Sequence, residues 1–278
     1  MEFQVLIMNT RILPYKILQN ILTCAALILI GLFPSCEEVI EADLSKADPV
    51  IVIEGAISDQ SEFHRIKVSK TIPFDQPNSF NGVKEAKVTV YASNSQTYSF
   101  TATSDGVYQS QRFRGVAGVN YMLEVISGGK TYKASSIMPS AVRPDSVTFK
   151  RLTILGNSRV YPSIYYKDPP RIQNQYRYLL KINGKLSADQ VSEDRFSDGN
   201  PTSDLITFEG KELKAGDRAD IEMQCIDRNV FKYYFAISQI DGNGGPPVAP
   251  SNPDSNIDNG ALGIFSAHSR STYSLTLK

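Results

Sequence analysis

From residue 50 onward, apolar and polar side chains alternate with a period of two over one segment after another, the pattern of strands that bury a single face. The run VIVI (50–53) is β-branched throughout and suits a buried strand. HRIKVSK (64–70) sets Ile66 and Val68 on one face, with His64 read onto the polar one, and KVTVY (87–91) alternates in the same way. Residues 98–102 lead through Asp105-Gly106 into Val107 and Tyr108, and 121–126 and 131–134 flank Gly128-Gly129. Such pairs between alternating segments predict hairpins. About seven short strands, spaced by roughly 8–12 residues, predict an antiparallel β-sandwich of Ig-like or prealbumin-like type over 49–139.

Pro139 and Pro144 mark the end of that unit, and 140–278 reads as a second β-rich domain of less regular character. Strands are predicted over 146–155, 161–166, 176–182, 206–208, 219–226, 260–265 and 272–277. Lys167-Asp168-Pro169-Pro170 reads as a break, Asn183-Gly184 as a turn, and 187–204 as a long polar loop. One segment changes period: Asp227 can cap a helix, and Val230, Phe231, Tyr234, Phe235 and Ile237 follow at helical spacing, which predicts a helix near 228–240. A strand through FKYYFAI stays open as the alternative, because aromatic residues suit strands too. Residues 246–259, rich in Pro and Asn, read as a surface loop.

Residues 1–35 form a different kind of segment. Arg11 and Lys16 precede an apolar run, 21–33, of signal-peptide length and short of the roughly 20 residues a spanning helix needs. Met1 and Met8 both remain candidate starts. The run ends in LFPSC (32–36), which resembles the lipobox of bacterial lipoproteins, where cleavage precedes a lipidated cysteine. Cys36 is the expected lipidation site, although Phe33 and Pro34 depart from the usual Leu and small residue. A plain secretory signal with Cys36 as a free thiol is the other reading. Residues 36–48 are polar and acidic and read as a tether. An acidic patch directly after the cysteine resembles the export signal of Bacteroidota surface lipoproteins. The expected location is therefore the outer membrane, lipid-anchored and surface-exposed.

Charge narrows the function. Lys plus Arg and Asp plus Glu are 29 each in 278 residues, so no basic surplus supports nucleic-acid binding. Of three cysteines, Cys24 lies in the signal and Cys36 takes the lipid, which leaves Cys225 without a partner; in IEMQCID it alternates like a buried, inert strand residue. The histidines, His64 and His268, are isolated and read as surface residues. No nucleophile elbow, zinc-protease, P-loop or dinucleotide motif occurs. No catalysis and no cofactor are expected. Asp254, Asn256 and Asp258 alternate as in a calcium loop, but Asn259 stands where Gly is required and Phe265 where the bidentate Glu should be, so an EF-hand fails. A looser calcium site and an ordinary Asx-turn loop both stay open. With Trp absent, sugar stacking would fall to Tyr161, Tyr165, Tyr166, Tyr176 and Tyr178 around the Asp168 break; the alternative is that they half-bury along strands.

Several segments together resemble the Bacteroidota outer-membrane lipoproteins catalogued as domain of unknown function 4249. These are SCEEVIEADL, IVIEGAISD, VTVYAS, SDGVYQS, YMLEVISGGKTYKASSIMP, YYKDPP, IEMQCIDRNVFKYY and the tail PSNPDSNIDNGALGIFSAHS. The family usually shows Tyr where this tail has Ile264. The resemblance implies gene neighbourhoods with TonB-dependent receptors and no attached enzymatic activity. The expected function is thus a binding accessory of an integral outer-membrane receptor, with Tyr165, Tyr166, Asp168, Asn252, Asp254, Asn256 and Asp258 as partner- or ligand-facing loop residues. A structural or adhesive envelope protein is the alternative.

Overall fold

The computed structural model describes Gln19 and residues 48–73, 76–77, 79–154, 156–194, 198–240 and 252–278; the rest of the signal segment, Cys36 and the tether up to residue 47 lie outside them. The alternating segments become β1 (Ile51–Ser58), β2 (Glu62–Lys70), β3 (Lys87–Ala92), β4 (Thr97–Ser104), β5 (Val107–Phe113), β6 (Asn120–Ser127) and β7 (Lys130–Ile137). Then follow β8 (Ser146–Ile154), β9 (Asn157–Lys167), β10 (Gln175–Ile182), β11 (Lys185–Glu193), β12 (Pro201–Leu205), β13 (Arg218–Ile226), helix α1 (Arg228–Ile240) and β14 (Leu262–Thr276). The turns fall at the expected pairs. Gly128 and Gly129 (φ 56° and 75°), and Asn183 and Gly184 (φ 51° and 83°), are left-handed at both central positions, as tight hairpins require.

The protein is a mostly β structure built on β-sandwich layers. One sheet runs β11-β10-β13-β14-β1-β2-β5-β4-β3-β6-β7 and a second runs β12-β9-β8. β14 holds the long sheet together. Its first half pairs in parallel with β1, Leu262 to His268 against Val52 to Ser58, and its second half pairs antiparallel with β13. The edge strand β7 returns to β14, where Ala267 N–H donates to Ser136 Oγ at 2.8 Å. The first apolar core fills this curl with Ile53, Ile57, Ile66, Val90, Tyr121, Leu123 and Phe265. The second lies between β9 of the small sheet and the wing of β10 and β13, around Ile164, Tyr166, Tyr176, Tyr178, Leu180 and Met223. The expected boundary at 139–144 thus separates most of two cores but not the sheet, because β14 serves both. Residues Ser45–Lys278 make one compact unit. No helix among the described residues is long and apolar enough to cross a membrane.

Two strand readings need correction. Residues 187–204 are not one loop: most of β11 and of β12 falls in them. β11 (KLSADQVSE) lacks alternation because it is an edge strand with intermediate exposure along most of its length; its pairing with β10 defines it. Residues 206–208 lie just past β12, where Ile206 and Phe208 are nonetheless buried.

The helix forms as its cap predicts. Asp227 Oδ1 accepts from the backbone N–H of Asn229 (2.8 Å) and Val230 (3.1 Å), while Oδ2 accepts from Ser136 Oγ on β7. Val230 and Phe231 are buried with Ile226 and Ile264. Period-two alternation in β10 turns Tyr176 and Tyr178 to the second core and Arg177 to the other face, where its guanidinium lies 3.5 Å from the ring centre of Tyr234 on α1. Replacing Asp227 by alanine orphans two helix N–H groups. It should lower stability by about 1–2 kcal/mol. Thermal denaturation followed by circular dichroism checks this, and Asp227→Asn should recover most of the loss.

Candidate functional site

The loop residues expected to meet a partner divide sharply. Asn252 and Asp254 are exposed. Asn256 and Asp258 are engaged in the fold. The Asn256 amide donates to Phe265 O (2.7 Å) and Ser135 O (3.2 Å) and accepts from Phe265 N–H (3.0 Å), pairing with β14 as a strand would. Asp258 Oδ1 accepts from Lys133 N–H at 2.6 Å, and Ile257 bridges Ala134. The segment from 256 therefore seals the edge of the first core. Residues 246–251 lie outside the described residues, as does Cys36.

The tyrosines are not a stacking platform. Tyr166, Tyr176 and Tyr178 are buried, with Tyr166 and Tyr176 edge to face at 5.0 Å. Their hydroxyls donate to carboxylates: Tyr166 to Asp204 (3.1 Å), Tyr178 to the same oxygen, and Tyr176 to Asp168 Oδ1 (2.8 Å). Burial pushes all three phenols up. Tyr165 is partly exposed on β9, between Ser146 and Ser203 in the register. Tyr161 is partly exposed and meets Phe208 edge to face at 5.5 Å, with the Arg159 guanidinium over both rings. These three side chains, with Gln190 and Phe235, line an open cleft of about 720 Å³.

Asp168 stands at the expected break but, read as a loop residue on a partner-facing surface, is instead fully buried. Carboxylate oxygens of Asp168, Asp194 and Asp198 lie within 4.8 Å of one another. Asp194 is buried and Asp198 exposed. Desolvation, reinforced by the carboxylates of Asp168 and Asp198, holds the Asp194 carboxyl above its ordinary range against a backbone hydrogen bond that it accepts from Asn174. This all-oxygen group is where the described residues could hold a metal ion.

The histidines also differ from expectation. His64 and His268 are buried, not exposed. Alternation itself places His64 on the face of Ile66 and Val68. Its Nδ1 accepts from Ser58 N–H (3.4 Å), and its Nε2 lies 3.1 Å from Phe113 O, so a neutral ring protonated at Nε2 satisfies both. Burial lowers its pKa. His268 lies deeper, and burial, reinforced by the charges of Arg177 and Arg270, pushes it down to about 3. Beside them Arg270 bonds Glu62 at 2.8 Å and approaches Glu222 at 3.6 Å. Ser58 Oγ donates to Glu62, whereas Ser266 Oγ lies 3.4 Å from His268 Nδ1, both residues being buried. Cys225 is buried, its Sγ accepting from Val142 N–H at 3.2 Å, and burial pushes the thiol up.

A family model described as Domain of unknown function (DUF4249) matches residues 37–274. No curated protein matches the chain. Among solved structures, a two fibronectin type-III domain segment from chicken tenascin is similar at 14% identity, with 64% of this chain and 91% of that chain covered and a TM-score of 0.21.

Proposed function

The chain belongs to the DUF4249 family, and from that premise we propose that it is a surface-exposed outer-membrane lipoprotein that works by docking on an integral outer-membrane partner of the TonB-dependent receptor class. The observation that carries this reading is LFPSC followed at once by the acidic EEVIEAD. A lipid on Cys36 would confine the protein to a plane and raise its effective concentration beside a membrane partner. The tether to residue 48 would give the sandwich reach above a neighbouring barrel. The burial of both histidines supports binding over catalysis: His64 and His268 are core residues whose pKa burial lowers. Asn252 and Asp254 remain at the surface for contact, where binding residues concentrate.

Two measurements test it. A fatty-acid probe in growing cells should label the wild type and not Cys36→Ser; equal labelling of both removes the anchor. Affinity purification of the full chain through a C-terminal tag, in mild detergent, should recover a barrel protein in near-stoichiometric amount. Recovery of the chain alone, in several detergents and after crosslinking in cells, rejects docking and favours a structural or adhesive envelope role.

A further inference from the structure

Two chain corners meet at one end of the second core. The first, 168–174, leads from β9 in the small sheet to β10 in the large one. The second leads from β11 back to β12. Register fixes their meeting: Lys167 pairs with Pro201, and Gln175 with Glu193, so Asp168 and Asp194 each stand one residue past the last pair of a ladder. Backbone bonds join the corners. Asp168 N–H donates to Asn200 O (3.1 Å), Asp194 N–H to Asn174 O (3.2 Å), and Arg171 N–H to Asp198 Oδ1 (2.5 Å). A Cβ on Gly199 would stand 3.0 Å from Pro170 Cβ, so the second corner packs closely on the first.

We propose that this corner is a calcium site whose ligands include the carboxylates of Asp168, Asp194 and Asp198. Three carboxylates held within 4.8 Å repel one another. No Lys or Arg side chain forms an ion pair with them among the described residues. An independent observation points to a ligand. Asp168 is wholly buried; its Oδ1 is taken by Tyr176 and Asn174, and its Oδ2 has no hydrogen-bond partner. A buried carboxylate oxygen without a partner is costly, and a cation removes that cost. The spacing fits as well. Two oxygens each about 2.4 Å from one calcium ion stand at most about 4.8 Å apart. Oxygen-only donors select a hard cation over zinc or copper, and the irregular arrangement suits calcium better than octahedral magnesium. Exposed Asp198 gives the ion a way in.

The test uses the full chain in mild detergent, stripped with EGTA. Added calcium should raise Tm by about 5–10 °C at one hundred times Kd, and EGTA should reverse the rise. Asp198→Asn keeps an oxygen for the Arg171 N–H, so it should fold, and its calcium affinity should fall at least tenfold. Asp168→Asn relieves repulsion; it should melt higher than the calcium-free wild type and no longer respond to calcium. Asp254→Asn should behave as wild type. The proposal is overturned if neither calcium nor magnesium shifts Tm at about 10 mM, above the affinity range of extracellular modules. It is overturned equally if Asp198→Asn responds as the wild type does, or if Asp254→Asn abolishes the response. A calcium-insensitive chain that melts higher as pH falls toward 5 would overturn it too, since a proton and not a metal ion would then relieve the repulsion at this corner.

Discussion

Gly263→Ala should lower stability by about 3 kcal/mol or more and Tm by roughly 6–12 °C, because it combines backbone strain with a steric clash. Gly263 sits at φ +97°, outside the range that other residues adopt readily. Its ladder partner on β1 is Ile53, and a Cβ added there would stand 2.1 Å from Ile53 O and 2.8 Å from Ile53 C. Backbone atoms cannot swing aside as a side-chain end can, so the parallel β1–β14 pairing must open. That pairing joins residues some two hundred positions apart and contributes Ile53 and Phe265 to the first core. Gly260 is the control. It is also left-handed, at φ +75°, but a Cβ there meets nothing within 4 Å. Gly260→Ala should therefore cost only about 1 kcal/mol from conformation. Equal losses at the two positions would refute the clash.

The same geometry explains why the most specific part of the sequence says least about function. In the tail PSNPDSNIDNGALGIFSAHS, Asn256 acts as a partner for the Phe265 backbone, Asn259 donates to Thr131 O at 2.6 Å, Gly263 admits the close approach of β1, and Phe265 fills the core. These residues are specific because the joint between β1, β7 and β14 is demanding, and their bonds and packing are spent within the fold. Local signals were legible throughout: Asp105-Gly106, Gly128-Gly129 and Asn183-Gly184 turn where expected, and Asp227 caps the helix. Signals that depend on distant pairing were not. β11 carries no apolar face of its own, and only its pairing with β10, a strand the sequence does predict, defines it. Asp168, Asp194 and Asp198 belong to two corners with no shared motif, so only the register of β9 with β12 and β10 with β11 brings them together. His64 shows a different failure. Its parity with Ile66 and Val68 puts it on the buried face, and the core admits a polar ring there because both its nitrogens are bonded.

Lowering the pH from about 7 to 5 should destabilise the protein by about 2 kcal/mol through His268 alone. In the unfolded chain a histidine takes a proton near pH 6.5, whereas folded His268 resists it until about 3. Below 6.5 the unfolded state therefore binds the proton first, and stability is lost progressively as pH falls through the window from about 6.5 to about 3. The ring is buried, and Arg177 and Arg270 raise the cost of a further positive charge beside them. His64 adds to the slope in the same direction, since protonating Nδ1 would break its bond from Ser58 N–H. Asp194, held above the ordinary carboxylate range, opposes the trend. Asp217 and Asp220, held low by hydrogen bonds, contribute losses of their own only once the carboxylate range is reached. Tm measured between pH 7 and 5 should fall steadily for the wild type. It should fall markedly less for His268→Gln, which keeps a polar side chain of similar reach and cannot titrate. If wild type and His268→Gln lose the same amount over that interval, the acid sensitivity has another origin and His268 is not the buried neutral ring described above.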